Sequence, residues 1–193
     1  MRTSSPTPAH VVRRAWWLVT VVVAAAAVAC TSPGAPSTVA IPGGAGRGMA
    51  MTVTHVVDGD TVDLRLPDGS ADRVRLLGID TPETVKPNTP VQCYGPEASA
   101  RTKALLPDGT GVLIQRDAEV RDRYGRLLAY IWRRRDGLFV NASLVTDGFA
   151  RTLSIDPNTA HRSDLSQAQS GARQAGAGLW RACPPSPGGS SGG

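Results

Sequence analysis

Two aspartates at the ends of neighbouring predicted segments have the chemistry of a metal site. Asp60 follows an Asp-Gly bend and Asp80 ends an apolar run, so their carboxylates can converge. Two carboxylates at close range repel each other, and a bound cation relieves that repulsion. Because no His or Cys lies nearby, these oxygen ligands favour calcium or magnesium over zinc. Either aspartate alone is better explained as the cap of a turn, whereas the pair indicates a metal.

Two arginines, Arg75 and Arg126, are candidates to hold a phosphate beside that metal. A guanidinium group forms a planar fork that matches phosphate oxygens, which lysine cannot copy. Attack on a phosphodiester accumulates negative charge on those oxygens, so two guanidiniums and a cation would lower the barrier. Arg75 and Asp80 are an odd number of residues apart, and a regular strand would place them on opposite faces. A bulge or turn near Gly78 is therefore needed to bring them together.

Alternating apolar residues predict the strands that position these side chains. Three strands form a meander, with a strong turn at residues 67–70, and two more strands follow a helix. The predicted strands are residues 51–57, 61–66, 72–79, 111–116 and 127–132. Five strands with a helix after the third match the order of an OB barrel.

Three helices are predicted around these strands. Pro96 suits the first position of a helix, which Pro107 ends. Asn141 is predicted to cap a short helix that ends at Gly148. An apolar stripe predicts the third helix, through Leu165, Ala168, Ala172 and Ala175. The predicted fold class is α+β, a five-stranded OB-fold barrel with about three helices.

Four short motifs in a fixed order resemble the signature of the staphylococcal nuclease (thermonuclease) family. They are Asp-Gly-Asp-Thr at 58–61, Arg-Leu-Leu-Gly-Ile-Asp-Thr-Pro-Glu at 75–83, Tyr-Gly-Pro-Glu-Ala at 94–98 and Asp-Arg-Tyr-Gly-Arg at 122–126. The similarity runs from about Met51 to Trp180. It implies an OB-type barrel with three helices and a monomeric enzyme that cleaves DNA and RNA with calcium.

The resemblance also implies roles for individual residues. Asp60, Asp80 and the main-chain oxygen of Thr81 would bind one calcium ion, and Glu83 would act as general base. Arg75 and Arg126 would stabilise the transition state, and the expected products carry a 3′-phosphate. The predicted substrate contacts are Tyr124, Arg123 and Lys86. Where the family's best-known member has tyrosines ahead of a Pro-Asn pair, this chain has Leu153 to Asp156, which predicts weaker nucleotide binding.

The ends of the chain predict export. Residues 1–29 combine Arg13 and Arg14 with a short apolar run, which is typical of a signal peptide. Cys30 directly after Ala-Val-Ala resembles a bacterial lipoprotein site, although Ala27 replaces the usual leucine and leaves simple cleavage open. Residues 30–50 are predicted to be a flexible tether, 51–183 the folded domain and 184–193 a disordered tail. The protein is expected to face outward from the cell membrane on a lipid at Cys30, or to be secreted.

Cys93 and Cys183 remain once Cys30 is assigned to the lipid. In an exported chain, two cysteines flanking the helical region predict a disulfide. A pair of metal ligands is the alternative, but no His or third Cys supports it.

Charge alone does not decide what the protein binds. The formal net charge is +5, but residues 1–29 carry three arginines and no acid, so the rest has 18 Lys+Arg against 16 Asp+Glu. A net +2 allows nucleic-acid binding through a local patch. The predicted function is a calcium-dependent nuclease. The alternative is a catalytically inactive OB-fold module that binds nucleic acid or protein.

Overall fold

The computed structural model describes Met1 and residues 38–41, 47–84 and 90–183. The chain divides into residues 1–32 and 33–193, and every helix and strand below belongs to the second unit. Apart from Met1, the predicted signal peptide lies outside the described residues, as do Cys30, Lys86 and the predicted tail. In the part that is described, no helix has both the length and the apolar character needed to cross a membrane.

Eight strands and four helices make up the described chain. The strands are β1 (Thr38–Ala40), β2 (Arg47–Asp58), β3 (Thr61–Arg65), β4 (Ala71–Leu76), β5 (Gly78–Asp80), β6 (Gly111–Gln115), β7 (Leu127–Arg133) and β8 (Arg151–Leu153). The helices are α1 (Gly95–Leu105), α2 (Val140–Thr146), α3 (Arg162–Ala175) and the four-residue α4 (Leu179–Ala182).

Five of these strands close a barrel. β2, β3 and β4 form an antiparallel meander, β4 pairs in parallel with β7, and β6 joins β7 to β2. All seven residues of β7 are buried, because this strand lies between β4 and β6 and packs against α2. The predicted α+β class with a five-stranded OB barrel is confirmed, and α4 adds one short turn of helix.

The predicted tether needs a correction at its C-terminal end. β2 begins at Arg47, four residues before the predicted strand, and β1 pairs with its first three residues. Ile41 is buried in the barrel core. A Cβ added at Gly48 would lie 3.1 Å from the backbone oxygen of Ile114, so this glycine serves close strand packing. Main-chain pairing requires no large side chains, which is why a Pro- and Gly-rich composition concealed these strands.

The bend near Gly78 divides the predicted third strand into β4 and β5. Gly78 has φ +75°, a conformation that glycine adopts without the penalty that a Cβ brings. Beyond it, β5 leaves the barrel and pairs with β8, so that Asp80 lies opposite Arg151. Leu77 at the bend is fixed by the carbonyl of Ala129, 2.9 Å from its amide nitrogen. The bend therefore redirects the chain while the barrel stays closed.

Asn141 is not the helix cap that the sequence predicts. It is the second residue of α2 and fully buried, and the cap position is Phe139. Its amide nitrogen donates to the carbonyl of Leu77 at 2.8 Å, and its oxygen accepts from the amide of Ile131 at 3.0 Å. The side chain thus links α2 to the Gly78 bend and to β7.

Candidate active site

Arg75 lies between the two predicted metal ligands. Its Nη2 is 3.1 Å from Asp60 Oδ2 and 3.0 Å from Asp80 Oδ1. The Arg75 side chain is 14% exposed, so this contact is shielded from most of the solvent. The structure therefore brings both aspartates and one predicted catalytic arginine to a single point.

The other half of the Arg75 guanidinium holds the bend itself. Nη1 donates to the carbonyl oxygens of Leu76 at 2.8 Å and of Ile79 at 2.9 Å, on either side of Gly78. The bend places Asp80 on the same side of the chain as Arg75, as the sequence required. One side chain thus both shapes the turn and contacts the carboxylate that the turn delivers.

Thr81 continues the acidic site from the other side. Its amide donates to Asp60 Oδ2 at 3.1 Å. Its hydroxyl is buried and has no hydrogen-bond partner in the described part of the chain. A Cβ at Gly59 would lie 2.6 Å from that hydroxyl, so the Asp-Gly bend packs directly on Thr81. Only glycine fits there, which explains why the motif reads Asp-Gly-Asp.

The electrostatics of the site fit a hard divalent cation. Burial raises the pKa of Asp80, and the nearby charges of Asp60 and Glu83 add to this against the opposing effect of Arg75. The available donors are carboxylate, hydroxyl and main-chain oxygens, which suit calcium or magnesium. Among the described residues there is no group of three or more His, Cys, Asp or Glu side chains placed to hold a metal. Any cation here would depend on two aspartates and a main-chain oxygen.

Glu83 lies two residues beyond Thr81 in a network that the sequence did not reveal. Its Oε1 accepts from the amide of Thr84 at 3.0 Å, and the Thr84 hydroxyl donates to Asp58 Oδ1 at 2.6 Å. Burial raises the pKa of Asp58, to which the Asp60 charge and a hydrogen bond with Glu83 contribute, while hydrogen bonds from Thr84 and Gly59 act against it. In the sequence, the Asp-Gly-Asp motif indicates only a turn residue at Asp58.

Arg126 reaches the site from the loop that precedes β7. Its Nε donates to Asp122 Oδ2 at 2.7 Å, and its amide donates to Asp122 Oδ1 at 2.9 Å. The guanidinium also lies over the Tyr124 ring, 5.5 Å from the centroid. Asp122 therefore fixes both the backbone and the side chain of Arg126, and the motif Asp-Arg-Tyr-Gly-Arg is a single structural unit.

A surface pocket of about 480 Å³ joins the two arginines. Arg75 and Arg126 both line it, with Tyr124, Leu153 and Ile155 on its walls. Tyr124 is 68% exposed and Ile155 62% exposed, which is unusual for such large side chains. Arg123, the other predicted contact that is described, donates to the Tyr124 hydroxyl at 2.7 Å. The pocket thus offers an apolar surface beside two cations.

Cys93 and Cys183 are joined in a disulfide, with a sulfur–sulfur distance of 2.10 Å. The bond connects the residue two positions before α1 with the residue after α4. Cys93 directly follows Gln92, whose Oε1 accepts from the amide of Glu83 at 3.1 Å. Gln92 is a further residue that the sequence did not indicate.

Comparison with known proteins gives a consistent result. Residues 73–182 match the family model "Staphylococcal nuclease homologue". The chain is 46% identical over 134 residues to a thermonuclease of Staphylococcus intermedius, which covers 69% of this chain and 77% of the relative. It is 42% identical over 128 residues to a thermonuclease of Staphylococcus hyicus, covering 66% and 73% respectively. A prophage-derived endonuclease, YokF, of Bacillus subtilis is 40% identical over 131 residues, which is 67% of this chain but 43% of that protein.

Proposed function

The chain belongs to the staphylococcal nuclease family, and on this basis we propose that it is an exported calcium-dependent nuclease. Its substrates would be DNA, RNA or both, and it would leave 3′-phosphate ends. The observation that carries the proposal is the position of Arg75, which contacts Asp60 and Asp80 and lines the same pocket as Arg126. Arg75 therefore joins the acidic pair to a pocket that has the size of a nucleotide.

In the proposed reaction, Glu83 takes a proton from the attacking water as the water oxygen bonds to phosphorus. The bond between phosphorus and the 5′-oxygen breaks, and the leaving 5′-oxygen takes a proton from solvent. Arg75 and Arg126 donate hydrogen bonds to the phosphoryl oxygens, whose negative charge increases in the transition state. Asp122 holds Arg126 in the orientation that this requires. Asp60, Asp80 and the carbonyl of Thr81 would hold the calcium ion, which supplies positive charge next to the scissile phosphate.

Calcium is proposed over magnesium because the site contributes few ligands and no rigid octahedron of donors. Magnesium requires near-ideal octahedral geometry, whereas calcium tolerates irregular oxygen shells. With two protein carboxylates, we expect weak binding, with a dissociation constant of about 10⁻⁴–10⁻³ M. Such an affinity suits an enzyme that works outside the cell.

Tyr124, Arg123 and Lys86 are proposed to contact the substrate. Tyr124 offers an exposed ring with two guanidiniums over it, a combination that suits a nucleotide's phosphate and sugar. Leu153 and Ile155 would pack against a base without stacking on it, because they lack a planar π face. This favours recognition of the backbone over recognition of particular bases.

We further propose that Cys30 carries a lipid and that the following residues link it to the barrel. A single acyl chain binds membranes only marginally, so firm attachment implies a multiply acylated cysteine. The Cys93–Cys183 disulfide supports export, since such bonds persist in oxidising compartments. Mass spectrometry of the mature N-terminus tests this: an unmodified terminus would leave a secreted enzyme, and the barrel is expected to act as a monomer in either case.

The test of the nuclease itself is cleavage by the chain without residues 1–29, with calcium, with magnesium, or with a chelator. Single-stranded DNA and RNA should be cut only with calcium, and Arg126→Ala should lose about 10²–10³ in kcat. Equal cleavage in the chelator would refute calcium dependence. Binding of DNA without any cleavage would favour the inactive OB-fold module instead.

A further inference from the structure

We propose that Gln92 positions Glu83 and that the Cys93–Cys183 disulfide holds Gln92 in the place where it can do so. The inference rests on the proposed role of Glu83 as general base. Gln92 would be a positioning residue, since it acts through the backbone of Glu83 rather than on the substrate.

The first observation is a reciprocal pair of hydrogen bonds between Gln92 and Glu83. The Glu83 amide donates to Gln92 Oε1 at 3.1 Å, and the Gln92 amide donates to the Glu83 carbonyl at 3.0 Å. Both main-chain polar groups of Glu83 are therefore bound by a single residue. Because these hydrogen bonds fix the Glu83 amide and carbonyl, they also fix the Cα atom from which its side chain extends.

The chemistry of Gln92 suits this place. The segment around Glu83 already carries several carboxylates, since Thr84 is hydrogen-bonded to Asp58 and the Thr81 amide to Asp60. A glutamine oxygen accepts the Glu83 amide proton without adding a further negative charge. An aspartate or glutamate at this position would make the same contact at an electrostatic cost.

The second observation is that the segment carrying Gln92 adopts a costly conformation. Residues 92–95 form a turn in which the Gly95 amide donates to the Gln92 carbonyl at 3.0 Å. Tyr94 occupies its third position with φ 71° and ψ 10°, and it is the one non-glycine residue with positive φ in the described part of the chain. That position normally belongs to glycine or asparagine. A non-glycine residue stays there only where its surroundings hold it.

Two contacts hold the turn against the body of the protein. The Tyr94 ring stacks on Phe149, with centroids 5.3 Å apart. Cys93 is bonded to Cys183, which ends α4. That helix is anchored by Leu179, which is buried and whose amide donates to the Gly148 carbonyl at 2.9 Å. The disulfide therefore connects the residue next to Gln92 to a fixed point at the end of α4.

The third observation is the close packing of this turn on the Glu83 backbone. A Cβ placed on Gly95 would lie 3.0 Å from the Glu83 carbonyl oxygen and 2.7 Å from Thr84 Cγ2. A small displacement of the turn would consequently be passed to Glu83 by direct contact. The disulfide, the turn and the Glu83 backbone are thus mechanically connected.

The test compares four forms of the chain from residue 30 to its end. They are the wild type, Gln92→Met, Cys93→Ser/Cys183→Ser, and the combination of these changes. Methionine keeps the length of glutamine and removes its amide oxygen. Val91→Ala is the matched control, since Val91 lies on the same segment and its side chain is exposed. Cleavage of one DNA oligonucleotide is measured at saturating calcium, at a temperature where circular dichroism shows every form folded.

Gln92→Met and the double serine variant should each lower kcat by about 10- to 100-fold with KM nearly unchanged, because a misplaced base affects the chemical step. The kcat of the combined variant should be no lower than that of the less active of the two, since both changes interrupt the same connection. Val91→Ala should behave as wild type. Multiplicative losses, or full kcat in either variant, would overturn the proposal.

A readout without catalysis separates this inference from the proposed function. Hydrogen exchange at the Glu83 amide should become about 2- to 10-fold faster in both Gln92→Met and the double serine variant. Unchanged exchange in either variant overturns the inference even if the enzyme is active. If the wild type does not cleave DNA or RNA at all, the proposed function fails and the positioning role fails with it.

Discussion

Replacing Arg75 by lysine separates the two tasks that its guanidinium group performs. Nη1 binds the carbonyls of Leu76 and Ile79 around the bend, and Nη2 binds Asp60 and Asp80. A lysine ammonium places all its donors at one point, so it can serve the carbonyls or the carboxylates but not both. The substitution keeps the charge and removes the fork.

The expected loss follows from these contacts. If the ammonium stays with the carboxylates, two half-buried carbonyl oxygens lose a donor, and an unsatisfied acceptor costs about 1–3 kcal/mol. Since water can partly reach this region, we expect a fall of about 2–3 kcal/mol in the free energy of unfolding. If the ammonium instead stays with the carbonyls, Asp60 and Asp80 face each other without a charge between them. In both cases kcat should fall by about 10²–10³, because the positive charge of the side chain no longer lies where it stabilises the transition state.

Urea unfolding and single-turnover cleavage measure the two effects, and Arg73→Lys is the control. Arg73 lies on the same strand and makes a two-pronged contact with Asp63, but its side chain is 53% exposed. Exposed ion pairs contribute about 0.2–1 kcal/mol, so Arg73→Lys should lower the free energy of unfolding by less than about 1 kcal/mol. Cleavage should stay intact. If Arg75→Lys proves as stable as the control and retains more than about a tenth of kcat, the reasoning is wrong.

Three further changes test other parts of the structure. Gly95→Ala forces a methyl group against Thr84 and the Glu83 carbonyl, so kcat should fall by about 100-fold in a steady-state assay, and wild-type kcat would contradict the packing. Burial raises the pKa of Tyr130 to about 12 from 10.0, so its contribution to stability is complete below pH 10.0 and is lost as pH rises through about 12. An ultraviolet titration should show one tyrosine that ionises near pH 12, and Tyr130→Phe should remove that step. If a tyrosine of that variant still ionises there, the raised pKa belongs to another residue. Ile155→Tyr adds a stacking ring to the pocket and should tighten binding of a short oligonucleotide by about 1–3 kcal/mol, measured by calorimetry, whereas unchanged affinity would exclude a base from that wall.

The sequence was informative where function depends on local pattern. The apolar alternation located the barrel strands, and the odd spacing of Arg75 and Asp80 required the bend that Gly78 provides. Both are short-range properties, since strand periodicity and glycine conformation are decided within a few residues. The same is true of the Asp122 to Arg126 unit, whose contacts stay within a single loop.

The supporting contacts could not be read from the sequence because they join distant segments. Asp58 meets Thr84 across 26 positions, and Gln92 meets Glu83 across a segment containing two prolines. Neither residue type predicts its partner, because a surface glutamine or a turn aspartate is common. The pairing of β1 with β2 was missed for a different reason, since backbone hydrogen bonds leave no mark on composition.

The acidic cluster itself argues against a module that only binds nucleic acid. Asp60 and Asp80 both contact Arg75, the Glu83 charge acts on Asp80, and burial raises the pKa of Asp58 and Asp80. Grouped carboxylates destabilise one another and repel a polyanion, so a pure binding module would gain affinity and stability by losing them. Arg75 offsets part of this cost, and a cation in the site or a carboxylate that accepts a proton during catalysis would offset the rest. Asp80→Asn should therefore raise the stability of the calcium-free protein while abolishing cleavage. Lower stability in that variant, measured by urea unfolding in chelator, would mean that the pair with Arg75 outweighs the repulsion and would remove this argument for an enzyme.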